Sequence, residues 1–450
     1  MDTALIILAA GQGSRMKSDL PKVLHEIADA PMLVHAMKAA DSLQPERIVV
    51  VTGHGGEAVG RAARDWDERA EIAVQEEQLG TGHAVAQAAP LLKSFNGDAF
   101  VLFGDTPFIR PETLDALKQA RQQNDVVILG FHAADRDARY GRLVMDGETL
   151  QRIVEYKDAS PEERAISFCN SGVLCADAAL LFDLITEVKN DNASAEYYLT
   201  DIVGIARARG LTATAVACDE AETMGINSRI DLARAEAAFQ AGARVKALED
   251  GVTLVAPETV YFAHDTVLGR DSIIEPNVVF GPGVTVETGA RVRAFSHLEG
   301  AHVSRGGTIG PFARLRPGAE LAEDVHIGNF VEVKNAIIDR GAKVNHLSYI
   351  GDADIGEATN IGAGTITCNY DGVMKHRTRI GARVFVGSDT MLVAPVSLGD
   401  DAMTASGSVI TSDVEPGALA LARARQVNKP GMARKLMDRL RAIKAKQTGR

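Results

Sequence analysis

The chain has 450 residues, a formal net charge of −12 and 46% apolar residues. At roughly 150 residues per domain this length supplies two or three cores. The acidic balance excludes a general nucleic-acid binder, while leaving room for a local basic pocket that takes a small polyanion. The four cysteines, Cys169, Cys175, Cys218 and Cys368, show no Cys-x-x-Cys spacing, so neither a zinc site nor a disulfide framework is indicated and a reducing compartment fits. The first apolar run is too short for a signal sequence or a membrane span and no cation precedes it. The expectation is a cytoplasmic protein with no membrane partner.

Residues 4–10 read as a buried strand that runs directly into Gly11-Gln12-Gly13-Ser14-Arg15-Met16, followed by Pro21-Lys22. The glycines let backbone amides approach an anion, and Arg15 and Lys22 supply the cations to neutralise a triphosphate. A tight strand-to-helix turn with a surface Arg and Lys is the alternative. From Thr3 to about Ala221, short β-branched runs (48–51, 100–103, 126–129) alternate with helical stretches. That alternation predicts a mostly parallel sheet covered by helices, with ligands beyond the carboxyl ends of the strands, where Gly11, Gly53 and Gly104 fall. Asp105 ends one such strand, a position where a carboxylate suits Mg²⁺ or caps a turn. Residues 228–250 read as one alanine-rich linker helix, capped by Ser228 and stopped at Gly251.

After Gly251 the period becomes six: Leu268, Ile274, Phe280, Val286, Val292 and Leu298 keep it. It resumes in new phases at Ile309, Leu315, Leu321, Ile327 and Val333, at Ile338, Val344 and Ile350, at Ile355 and Ile361, and at Ile380, Val386, Leu392 and Leu398. Many of these aliphatics precede a glycine. Helices and alternating strands do not repeat at six residues, whereas a hexapeptide β-helix does, with the aliphatic pointing to its axis. Residues 368–379 break the beat with Asn369-Tyr370-Asp371-Gly372, which predicts a loop projecting from the prism and carrying binding groups. Arg316, Lys334, His346, Tyr349, Asn360, Asn369, Tyr370, Ser388 and Arg423 are expected on loops or coil corners, with His346 either structural or a base. Cys368 has no basic sequence neighbour to lower its pKa, which argues against a ping-pong nucleophile. Residues 431–450 carry seven Lys or Arg against one Asp, with Leu436, Leu440 and Ile443 at helical spacing, and read as a solvated terminal helix.

The string from Leu8 to Met16 with Pro21-Lys22 closely resembles the signature of sugar-nucleotide pyrophosphorylases, Ser14 standing where that signature has Thr. Phe103-Gly104-Asp105 is similar to the Tyr-Gly-Asp of bacterial N-acetylglucosamine-1-phosphate uridyltransferases, keeping the ring without the hydroxyl. The segments Asn345-His346-Leu347-Ser348-Tyr349 and 361–372 resemble the acetyltransferase domain of the bifunctional bacterial GlmU family, and the resemblance covers essentially the whole chain. It implies an α/β plus all-β protein: a Rossmann-like nucleotidyltransferase domain at 1–227, the linker helix 228–250, a left-handed parallel β-helix at 251–425 and a basic tail at 426–450.

The resemblance also implies roles. Leu8, Ala9, Ala10, Gly11, Lys22, Gln75, Gly80, Thr81, Phe103, Gly104 and Asp105 bind the UDP part, with Gln75 and 79–84 reading uracil. Gly141, Glu155 and Asn170 bind the sugar, and Asp105 and Asn227 hold Mg²⁺, Asn227 also contacting the nucleotide. Arg15 and Lys22 serve uridyl transfer from UTP. In the β-helix, His346 is the base, Arg316 and Lys334 hold the sugar phosphate, Tyr349 and Asn360 surround the sugar, and Glu332 orients the amine. Asn369 and Tyr370, beside the sugar, join Ala363, Ser388, Ser406 and Arg423 as contacts to acetyl-CoA, Ser406 replacing a common Ala. The implied function is acetylation of glucosamine-1-phosphate followed by uridyl transfer, performed by a homotrimer on small-molecule substrates. The alternatives are a single-activity pyrophosphorylase with a structural or regulatory β-helix, as in ADP-glucose pyrophosphorylases, and a nucleotide sensor on a trimeric scaffold.

Overall fold

The computed structural model describes residues 2–11, 13–53, 56–135 and 138–448. Gln12 of the glycine-rich string lies outside them. The chain divides into two compact units, Met1–Ala243 with Phe262–His264, and Arg244–Tyr261 with Asp265–Arg450.

The first unit is built on a sheet whose central strands run Ala213–Cys218, Val126–His132, Phe168–Asp177, Gly97–Phe103, Asp2–Ala9, Arg47–Thr52 and Ala70–Val74 in spatial order. All neighbours are parallel except Phe168–Asp177, which is antiparallel on both sides. Successive side chains of a strand leave opposite faces, and both faces are covered here. Ala4, Ile6, Leu8, Val49, Val51 and Val101 join one buried cluster, while Leu5, Ile7, Val50, Phe100 and Leu102 join another. This is why the strands read as unbroken apolar runs rather than alternating ones. Gly11 follows the central strand Asp2–Ala9, whose neighbours Gly97–Phe103 and Arg47–Thr52 end in Gly104 and Gly53.

The antiparallel strand carries a bulge between Asn170 and Leu174, where Gly172 adopts φ +92°. A Cβ on Gly172 would lie 2.6 Å from the Phe103 ring, so the close approach requires glycine. The Ser228 hydroxyl accepts from Asp231 N at 3.2 Å, capping the helix Arg229–Glu249, and Gly251 at φ +86° follows its end.

The second unit is a left-handed parallel β-helix of very short strands. One face stacks Ile273–Ile274, Arg291–Val292, Thr308–Ile309, His326–Asn329, Lys343–His346, Asn360–Ile361, Phe385–Val386 and Met403–Thr404, all parallel. Ile274, Val292, Ile309, Ile327, Val344, Ile361 and Val386 stack in register along its inside, each buried. One corner column takes the left-handed backbone at Phe295, Phe312, Phe330 and Leu347. The interruption predicted at 368–379 is a loop between Ile366–Cys368 and Thr378–Ile380, closed by a bridge from Tyr370 to Lys375 and exposed from Tyr370 to Met374. The terminal helix Met432–Thr448 presents an exposed surface, with Leu436, Leu440 and Ile443 among the exposed residues.

Candidate active sites

The first site forms where the sheet strands end. A cavity of about 280 Å³ is lined by Leu8, Ala9, Ala10, Gly11, Lys22, Gln75, Gly80, Thr81, Phe103 and Asp105, so ten of the residues singled out in the sequence meet in one place. Ala84, from the 79–84 segment, also lines it, and Gln78, Val23 and Glu196, which were not anticipated, complete the wall. The Gln78 side-chain amide hydrogen-bonds the Ala10 carbonyl, tying two walls together. Gln75 is buried; its Nε2 lies 3.1 Å from both the Gly80 carbonyl and His83 Nδ1, which fixes the amide toward the cavity wall. Arg15 is exposed on the short turn Ser14–Met16 and lies outside the lining.

At one edge of the cavity the Lys22 ammonium contacts the Asp105 carboxylate and lies 3.1 Å from Asn227 Oδ1. The segments carrying the two oxygen donors are themselves linked, Ile226 N donating to the Asp105 carbonyl at 3.0 Å. Two hard oxygen donors already converge on a cation here, so the pair fits Mg²⁺. Among the described residues no group of three His, Cys, Asp or Glu could hold a metal.

A smaller cavity of about 90 Å³ shares Thr81 and Phe103 with the first and is lined further by Glu155, Asn170, Gly172 and Thr200. Asn170 N donates to the Gly141 carbonyl at 2.9 Å, placing Gly141 at the same spot. Burial pushes the Glu155 carboxyl above the usual range, a shift opposed by the hydrogen bond it accepts from Thr200 Oγ1 at 3.1 Å. Arg142, the residue after Gly141, is fully buried and donates to the carbonyls of Tyr140 and Ala138. It holds the backbone around Gly141.

In the β-helix the candidate residues form columns. His346, Ala363 and Ser388 each stand two residues after a stacked interior aliphatic, Val344, Ile361 and Val386, and Ser406 follows Thr404 in the same way. His346 is exposed and its Nδ1 lies 2.7 Å from Asn329 Oδ1, in the preceding coil. An amide oxygen only accepts, so Nδ1 carries the proton and Nε2 is the basic nitrogen. Asn329 escaped the sequence reading, although it occupies the position equivalent to His346 one coil earlier.

Around the next corner Arg316 and Lys334 are neighbours in successive coils. Arg316 Nη1 donates to Glu332 at 2.9 Å, and Lys334 Nζ lies 3.9 Å from the Asp352 carboxylate. Lys334, His346, Tyr349 and Asn360 belong to strands, not to the loops or corners expected; strands here span only a few residues, so an outward position within one borders a corner anyway. Burial alone would raise the Asp352 carboxyl, but the Asn335 and Asn369 amides and the Lys334 ammonium hold it below its ordinary value. Lys375, at the end of the projecting loop, is another residue the sequence reading missed. The adjacent Lys334 ammonium lowers its pKa, and two ammonium groups held this close form a natural seat for a phosphate.

Asn360 projects from the face of Lys343–His346, with Lys343 and Phe385 as its register partners, whereas Tyr349 begins the following face. Tyr370 is exposed on the loop with its hydroxyl on the Gly372 carbonyl, 2.6 Å away, and Asn369 is buried against Asp352. Arg423 Nη1 donates to the Ser406 carbonyl at 2.9 Å, which joins those two candidates. Burial raises the Cys368 thiol, so it is a poor nucleophile.

The fold and first site define a nucleotidyltransferase: residues 5–185 match the MobA-like NTP transferase domain family. A protein named "Bifunctional protein GlmU" from Ruegeria sp. (strain TM1040) is 68% identical over 445 residues, covering 99% of both chains. Proteins of the same name from Jannaschia sp. (strain CCS1), 64% identical over 98% of this chain and 97% of that one, and from Roseobacter denitrificans, 67% identical over 99% of both, agree. The chain belongs to the bifunctional GlmU family. It is a bifunctional transferase that acts on small molecules, a nucleotide among them, in the two-step synthesis of UDP-N-acetylglucosamine. No helix among the described residues is long and apolar enough to cross a membrane.

Proposed function

We propose that the two reactions are divided between the two halves, uridyl transfer within 1–227 and acetyl transfer within 251–425, joined by the helix at 228–250. The observation that carries the uridyl reading is the convergence of Lys22, Asp105 and Asn227 beside a cavity lined by Gly11, Gln75 and Gly80. UTP lies with its base against Gln75 and Gly80 and its phosphates over the turn at Gly11. The sugar occupies the pocket of Gly141, Glu155 and Asn170. The sugar phosphate attacks the α-phosphorus in line and the bond to the departing pyrophosphate breaks, with Lys22 and Arg15 neutralising the charge that develops. Mg²⁺, held by Asp105 and Asn227, supplies charge neutralisation on the phosphate oxygens.

For acetyl transfer, Arg316, Lys334 and Lys375 seat the phosphate of glucosamine-1-phosphate, with Tyr349 at its sugar. His346 Nε2 removes the proton from the amine as nitrogen bonds to the thioester carbonyl carbon of acetyl-CoA, and the backbone N–H at Ala363 donates to the oxyanion. The carbon–sulfur bond then breaks and the thiolate of CoA leaves with a proton. Ser388, Ser406 and Arg423 contact the cofactor, and Asn369 and Tyr370 border both substrates.

Asn360 lies on a different face of its own coil from Tyr349, so the acetyl site is proposed to be shared between copies in a homotrimer. The supporting feature is the stacked column Phe295, Phe312 and Phe330, rings 5.0 and 5.2 Å apart, continued by exposed Leu347 next to His346. An apolar stripe of this length is suited to cover by a second copy. Sedimentation should give the mass of three chains at the enzyme's working concentration. The acidic balance and thiol content suit the cytoplasm.

Two assays on one preparation test the division: thiol release from acetyl-CoA with glucosamine-1-phosphate, and pyrophosphate release from UTP with the acetylated sugar. His346→Ala should lose the first by a factor on the order of 10²–10⁴ and keep the second. Equal loss of both in a folded protein overturns the assignment.

A further inference from the structure

The ammonium of Lys22 lies against both oxygen donors of the metal pair, and the chain enforces this. Lys22 opens the short turn Lys22–Leu24 directly after Pro21, whose ring fixes the approach of the backbone. Its stem runs along Gly13, where a Cβ would come within 2.6 Å of Lys22 Cβ. Gly13 itself takes φ +61°, so glycine is required there twice over, for its backbone and for the passage of the lysine stem. The Lys22 side chain is 11% exposed and that of Asp105 is 20% exposed, so the pair is little screened by solvent.

We propose that Lys22 is a built-in cation that holds Asp105 and Asn227 together in the nucleotide-free enzyme and excludes a divalent ion until a nucleoside triphosphate arrives. This inference rests on the reading of Asp105 and Asn227 as the metal pair. A divalent ion and an ammonium cannot share the same two oxygens, and mutual repulsion opposes their close approach. Entry of the metal therefore requires Lys22 to leave Asp105. Without nucleotide, the displaced ammonium has lost its anionic partner in a partly buried place, which is costly. With a triphosphate bound in the cavity, Lys22 finds phosphate oxygens a side-chain swing away. Metal and nucleotide binding are thereby coupled through one side chain, and the coupling is reciprocal. The arrangement also keeps the two donors in position while no metal is bound.

The test measures Mn²⁺ binding by the free-ion electron spin resonance signal, on the full-length enzyme with and without UTP and with no sugar phosphate present. Wild type should bind Mn²⁺ weakly alone and on the order of tenfold or more tightly with UTP, in the usual range of coupling between sites. Lys22→Met, which keeps the stem and removes the charge, should bind Mn²⁺ alone on the order of tenfold more tightly than wild type and lose most of the enhancement by UTP. Lys22→Arg, which keeps the charge, should retain the weak binding of wild type; tight binding by this variant would count against exclusion by charge. Lys22→Gln serves if the methionine variant does not fold. Equal or weaker Mn²⁺ binding to the folded neutral variants overturns the proposal. The underlying reading fails separately if Asp105→Asn and Asn227→Ala leave Mn²⁺ affinity in the presence of UTP unchanged.

Discussion

Gly328 offers a severe test of how the β-helix holds the acetyl site. It is buried in the strand His326–Asn329, between interior Ile327 and the His346 partner Asn329. An alanine Cβ there would lie 1.9 Å from the Asn345 carbonyl oxygen and 2.7 Å from its carbon, both in the next coil. Gly328 has no positive φ, so the cost comes from contact and not from backbone conformation. Reaching even an ordinary contact of 3.4 Å means moving the backbone of the following coil, because the obstructing atoms are main chain. Overpacking of this kind costs about 1–3 kcal/mol, and opening the coil weakens ladder hydrogen bonds worth about 0.5–1.5 kcal/mol each. Gly328→Ala should therefore lose about 3 kcal/mol by chemical denaturation. Because Asn345 immediately precedes His346, acetyl transfer should fall on the order of 100-fold, the price of a misplacement near 1 Å. Pyrophosphate release should stay at the wild-type rate. Gly242, inside the helix Arg229–Glu249 with nothing within 4 Å of an added Cβ, is the control. Gly242→Ala should stabilise by roughly 0.5–1 kcal/mol. A Gly328→Ala enzyme with wild-type denaturation midpoint and acetyl transfer would refute the close-coil reasoning.

Removing the partner of His346 Nδ1 should also separate the activities. Asn329→Ala frees the imidazole to change tautomer and rotate, so kcat for acetyl transfer should drop roughly tenfold or more with little change in KM, and uridyl transfer should persist; a rise in KM with kcat intact would assign Asn329 to binding instead. Glu155 provides a pH prediction. Its folded-state pKa is raised by burial, so its contribution to stability is full below the ordinary carboxyl value and is lost as pH rises through the raised one. Glu155→Gln cannot ionise, so its urea midpoint relative to wild type should increase as pH is raised from the ordinary carboxyl value upward. It should weaken binding of the acetylated sugar phosphate over the same range. A constant difference in midpoint across that span would show that Glu155 titrates normally.

Much of this was legible because the fold converts sequence period into geometry. The six-residue beat names the interior side chains directly: Ile327, Val344, Ile361 and Val386 are the ones stacked inside. The glycines following them mark where one coil's backbone abuts the next. A Cβ on Gly362 would lie 2.6 Å from the carbonyl carbon of Gly387, and one on Gly387 would lie 2.5 Å from Ser406 N. In the first unit the glycine-rich string identified its cavity because Gly11 follows the central strand, where the sheet's crevice opens. Arg142, next to Gly141 in sequence, is buried and bonded to main-chain carbonyls. Its charge gave no sequence signal of burial, since charged residues are mostly exposed.

What the sequence hid depends on contacts between segments whose spacing follows no period. Gln78 closes the nucleotide cavity by reaching the Ala10 carbonyl, and nothing in its neighbourhood distinguishes it from Glu76 or Glu77. Lys375 reaches Lys334 only because the 368–379 loop doubles back through the bridge from Tyr370, a fold the six-residue beat cannot encode because the beat stops there. Asn329 differs, since it was discoverable. Counting two residues past each interior aliphatic gives Asn329, His346, Ala363 and Ser388 in turn, one outward column beside a single corner. The proposed base, the amide that meets it and the proposed acyl-site donor thus occupy one repeated position in successive coils. In a parallel β-helix, then, candidate groups are better sought at a constant offset from the interior residue than by local motif. A histidine at that offset draws its first partner from the coil before it.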